Sequence, residues 1–166
     1  IQDGLHRMYE LGENKFYYIT TMNENYVQPA MPEGAEEGII QGMYHLRASE
    51  GTSKQRVQLM GAGTILREVE AAAEILEANY GIDADVWSLT SVNELQREGK
   101  AALRWNLLHP EDEPKVPYVT KQLQSQSGPF IAATDYMKSY TDQIREFVPG
   151  HFTVLGTDGF GRSDTR

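Results

Sequence analysis

Residues 56–90 read RVQLMGAGTILREVEAAAEILEANYGIDADVWSLT. Arg56 to Met60 has the composition of a buried strand, and Gly61-Ala62-Gly63-Thr64 turns the chain. Ile65, Leu66, Val69, Ala72, Ala73, Leu76 and Tyr80 then recur at helical spacing, which predicts a helix from about Ile65 to Tyr80. Gly81 stands where a left-handed residue ends such a helix. Asp85 to Thr90 reads as the next strand, so the stretch is one β-α-β unit with parallel strands and a right-handed crossover.

The pattern extends outward in both directions. Gly42 to Ala48 reads as a short strand, with Met43, His45 and Arg47 on one face. From Ser91 a helical pattern runs through Val92, Leu95, Ala101, Leu103, Trp105, Leu107 and Leu108, with a break expected at Gly99. Pro110, Pro114 and Pro117 mark an acidic surface loop, and Val119 to Leu123 is open between helix and coil. Phe130 to Thr134 reads as strand, Tyr136 to Val148 as helix, and Phe152 to Leu155 as a further strand. This alternation predicts an α/β fold, a three-layer sandwich around a mostly parallel sheet. Toward the amino end, Leu5, Met8, Tyr9 and Leu11 share a helical face. Phe16 to Thr21 has the aromatic and β-branched make-up of a strand packed on both faces. Pro29, Met31, Pro32 and the glycine-punctuated EGAEEG form an interdomain connector.

At 166 residues and 40% hydrophobic the chain has the material for one ordered domain and a little more. A net charge of −9 argues against nucleic acid or an anionic membrane as a partner. The absence of cysteine removes disulfides, thiolate metal sites and a cysteine nucleophile, and fits a reducing cytoplasm. No apolar run approaches about 18 residues, so none reads as a membrane span. With no initiator Met and a helix already under way at residue 1, the chain reads as a piece of something longer.

The motifs are weak taken singly. Gly61-Ala62-Gly63 suggests a dinucleotide loop, but Leu66 stands where the third glycine belongs, so a tight strand-to-helix turn is the expectation. A flavodoxin-like nucleotide- or flavin-binding module with its ligand over Gly61 to Thr64 is the alternative. Thr157-Asp158-Gly159-Phe160-Gly161 is expected to be a turn. His6, His45, His109 and His151 lack ligand spacing, and His109 suits the end of a helix. Asn23, Glu24 and Asn25, at the expected carboxyl end of the 16–21 strand, are the candidate site residues. Their polar groups suit the orientation of a substrate in a channel.

YYITTMNENY (17–26), PAMPEGAEEGI (29–39), VQLMGAGTILREV (57–69), RWNLLHP (104–110), TDYMKSY (134–140) and VLGTDGFGRSD (154–164) together resemble the homodimeric bacterial pyruvate dehydrogenase family. The likeness runs along essentially the whole chain. It implies that residues 1–28 end a pyrimidine-binding middle domain, 29–41 connect, and 42–166 form an incomplete transketolase-type C-terminal domain. It also implies a cytoplasmic enzyme dependent on thiamine diphosphate and Mg2+ that decarboxylates pyruvate. The two-carbon unit passes to the lipoyl group of a dihydrolipoyl acetyltransferase partner. The family's cofactor, metal and catalytic residues fall before residue 1, so this stretch is expected to supply structure and dimerisation, and none of its residues inherits a catalytic, cofactor or metal role. Within 158–164 the resemblance leaves a structural corner: Gly159 and Gly161 for a tight backbone, Phe160 as a plug, and Arg162 with Asp164 as an ion pair.

Overall fold

The computed structural model describes residues 1–22, 25–27 and 30–159. The chain divides into two units, Ile1–Met31 and a second that begins at Pro32. In the first, α1 (Gln2–Leu5) continues into a π-helical turn over His6–Glu10, closed by the Leu11 N–H donating to the His6 carbonyl at 3.0 Å. The Tyr17 hydroxyl donates to Asp3 at 2.9 Å, and Glu13 is paired with both Arg7 and Lys15. The strand expected over Phe16 to Thr21 does not form. These residues take no ladder hydrogen bonds, and Phe16 and Tyr18 are 87% and 88% exposed. Composition supplies the right side chains, but a strand also needs a neighbour's N–H and C=O groups, and none of the described residues offers them.

The second unit is built on a five-stranded sheet. In chain order its elements are α2 (Glu36–Gln41), β1 (Met43–Arg47), β2 (Arg56–Ala62), α3 (Ile65–Ile75), β3 (Asp83–Leu89), α4 (Val92–Leu108), α5 (Tyr118–Leu123), β4 (Phe130–Met137), α6 (Lys138–Asp142) and β5 (Phe152–Thr157). The strand order is β1-β3-β2-β4-β5. β1 is antiparallel to β3, and every other pair is parallel. β2 and β3 run in register from Arg56 opposite Asp83 to Ala62 opposite Leu89, the backbone of the β-α-β unit.

Alternation along the central strands divides the core into two faces. Val57, Leu59, Ala84 and Val86 pack with Val69 and Ala73 of α3. Met60, Ala62, Trp87 and Leu89 pack on the other side with Leu95 of α4 and Val119 and Leu123 of α5. Ile144, Phe147 and Phe152 complete that second layer. The three-layer α/β arrangement is as expected.

Local departures have identifiable causes. The 65–80 helix ends in a π-helical turn at Leu76–Tyr80, and Gly81 follows at φ 63°, the left-handed stop its position implies. Ser91 caps α4 by accepting from the Glu94 N–H at 3.3 Å, and Gly99 does not break the helix. A Cβ at Gly99 would lie 2.5 Å from the Phe147 ring, so this glycine is there to admit an aromatic side chain. The single helix expected over 136–148 is instead the end of β4, then α6, then a 3-10 turn at Arg145–Phe147. Pairing of Met137 with Thr157 draws Tyr136 and Met137 into the sheet.

Candidate functional site

Because β1 is antiparallel, its first residue lies at the carboxyl rim of the parallel strands: Met43 is opposite Leu89. The chain enters the sheet at that rim, where ligands of open α/β sheets gather. The Gly42 carbonyl accepts from the N–H groups of Thr90 and Ser91, and the Thr90 hydroxyl donates to the Ile39 carbonyl at 2.8 Å. Beside this junction lies a cleft of about 590 Å3, walled by residues 32–35 with α2, and by β1, α4 and α5. Glu33, Glu37, Glu98, Tyr44, His45 and Tyr118 are among the residues that line it.

Tyr118 organises this cleft. Its hydroxyl donates to the Met43 carbonyl at 3.1 Å and its backbone N–H donates to Glu98 at 2.8 Å. Burial, and then the negative charge of Glu37, push its phenol above the ordinary value. His45 stacks on Trp87 with ring centroids 4.4 Å apart. The cleft is thus lined by carboxylates, tyrosines and an imidazole, with Tyr118 and His45 held in place by internal contacts.

A second polar cluster lies at the amino rim. Arg56 donates through Nη1 to both oxygens of Asp85, at 2.7 and 2.8 Å, and through Nη2 to Asp83 at 3.1 Å. Buried Gln58 donates to Asp85 at 2.7 Å and accepts from the Trp87 indole N–H at 2.8 Å. Burial acts to raise the Asp85 carboxyl. Hydrogen bonds from Arg56, the Ser49 N–H and Gln58 outweigh it and hold the group below its ordinary value.

Of the candidate residues read from the sequence, Asn23 and Glu24 lie outside the described residues. Asn25 is exposed on a segment without regular structure. The Gly61 to Thr64 turn has a packing reason: a Cβ at Gly61 would lie 2.6 Å from the Leu66 Cα, so helix and strand meet there in van der Waals contact. The corner expected around Phe160, Gly161, Arg162 and Asp164 is outside the described residues; before it, Asp158 pairs with Lys138 at 2.6 Å. His109 closes α4 as expected, its Nδ1 2.8 Å from the Trp105 carbonyl and its ring stacked on the indole.

Among the described residues no group of three or more His, Cys, Asp or Glu could hold a metal ion. With Leu66 packed against Gly61, the described residues offer no set that fits a magnesium–diphosphate group. The sequence reading missed the cleft because its walls come from four separated segments. It also missed the Arg56 cluster, for which two aspartates within an otherwise apolar strand were the available signal.

A family model described as the transketolase-like TK C-terminal domain matches residues 42–166. The chain belongs to that family. Residues 1–29 match the pyruvate dehydrogenase E1 component middle domain. Over its whole length the chain is similar to pyruvate dehydrogenase E1 components from Pseudomonas aeruginosa (59% identical over 167 residues), Escherichia coli K12 (56% over 168) and Cupriavidus necator (53% over 167). It spans 19% of the length of each. Among solved structures, transketolase from Campylobacter jejuni is similar to 74% of this chain, which covers 15% of that one, with 20% identity and a TM-score of 0.47.

Proposed function

We propose that this chain is the C-terminal portion of a thiamine diphosphate- and Mg2+-dependent pyruvate dehydrogenase. The enzyme decarboxylates pyruvate and reductively acetylates the lipoyl group of a dihydrolipoyl acetyltransferase. The observation that carries the reading is identity of more than half over the whole chain to proteins named pyruvate dehydrogenase E1 component. The order of the two matched family models, middle domain then C-terminal domain, supports it. We assign residues 1–28 to the end of the middle domain, 29–41 to the connector and 42–166 to the C-terminal domain. In this reading the portion contributes scaffold and homodimerisation in a cytoplasmic enzyme, and Asn23 to Asn25 approach the substrate channel.

The test is an assay of the longer protein containing this chain, with a lipoyl domain, thiamine diphosphate and Mg2+. Pyruvate-dependent acetylation of the lipoyl group is the expected result. Turnover only with a different 2-oxo acid would overturn the substrate, and none with any would overturn the reading.

A further inference from the structure

The loop between β1 and β2 has no regular secondary structure, yet the backbone of residues 49–53 is tethered to the sheet at three points. The Ser49 N–H donates to Asp85 at 2.9 Å and the Ser53 N–H to Asp83 at 2.9 Å; the Gly51 carbonyl accepts from Arg56 at 3.1 Å. Both carboxylates are buried and belong to β3, and the guanidinium belongs to β2. The loop therefore lies over the amino rim, held by side chains of the sheet. Gly51 seats it: a Cβ there would lie 1.9 Å from Asp83 Oδ1.

Beside this seam the loop walls an open depression of about 670 Å3, lined by Ser49, Glu50, Gly51 and Ser53 and by Arg47, Glu77, Gly81 and Asp83. Arg47 pairs with Glu77 at 3.4 Å through Nη1, while its Nε and Nη2 are buried with no hydrogen-bond partner.

We propose that residues 49–53 form a strap that detaches from and re-seats on the amino rim as a unit of its own, held by Asp83, Asp85 and Arg56, while the sheet beneath stays folded. Segments with few buried apolar contacts open below the free energy of global unfolding. This strap has polar tethers where β2 and β3 have a packed core.

Hydrogen–deuterium exchange on the intact protein tests it. The amides of Ser49 and Ser53, which donate to the sheet carboxylates, should exchange at least about tenfold faster than those of β2 and β3, as expected for local opening. Gly51→Ala, which must push the strap off Asp83 while leaving the Arg56–Asp85 pair in place, should speed the Ser49 and Ser53 amides by about another tenfold and leave β2 and β3 unchanged. Equal rates for strap and sheet in the wild type would overturn the proposal, as would a variant that loosens both together or neither. Should the variant fail to fold, trypsin decides on the wild type. Cleavage after exposed Lys54 faster than global unfolding supports the strap, and cleavage only at the unfolding rate overturns it.

Discussion

Arg56 touches two carboxylates and one backbone carbonyl, so its removal leaves buried Asp85 short of its main counter-charge. Arg56→Gln should cost roughly 2–4 kcal/mol, the loss expected when one partner of a largely buried pair goes; urea unfolding at neutral pH measures it. The same pair sets an acid limit. The folded Asp85 carboxyl is held below its unfolded value, so its contribution is in full force above the ordinary carboxylate range. It is lost as pH falls through the lowered folded value. Wild type should therefore lose stability on acidification through this window, and Asp85→Asn should flatten that slope. At this scale the sequence was half legible. Asp85 stands out at the head of an apolar strand, which the structure extends back to Asp83, and a buried carboxylate implies a partner. Nothing in local pattern says that the partners stand 27 and 29 residues back, because the strand pairing that joins them is itself tertiary.

Gly99 shows why element boundaries were harder to read than element types. Its helix penalty of about 1 kcal/mol relative to alanine suggested an interruption. The Phe147 ring, 48 positions on, occupies the space a side chain would need, and α4 runs straight through. Gly99→Ala should consequently destabilise despite its better propensity, by about 1–2 kcal/mol net, because overpacking outweighs the helix gain. A rise in melting temperature would show instead that the ring moves aside cheaply. The 136–148 and 16–21 segments erred for a related reason. Both carry the right side chains for the element expected, but whether backbone joins a sheet depends on which strand edge lies within reach. β5 offered one to Tyr136 and Met137, and the described residues offered none to Phe16 through Thr21.

For the molecule as a whole, the layers were readable because strand and helix alternate along one chain, and alternation leaves little topological choice. The family was readable only through long motifs; among the described residues no group of three or more His, Cys, Asp or Glu could hold a metal ion. The 166-residue chain by itself should accordingly show no saturable binding of thiamine diphosphate with Mg2+ in calorimetry; a measurable affinity would place a cofactor wall in this stretch. A last consequence concerns mechanical load. β1 begins, and β5 ends, on the same rim of the sheet and on its two outermost strands. A pull between residues 43 and 157 thus runs across the strands, along the direction of the ladder bonds. Those bonds would break in succession from the outside like a zip, so the body yields to tension applied at these two points far sooner than its buried centre would suggest.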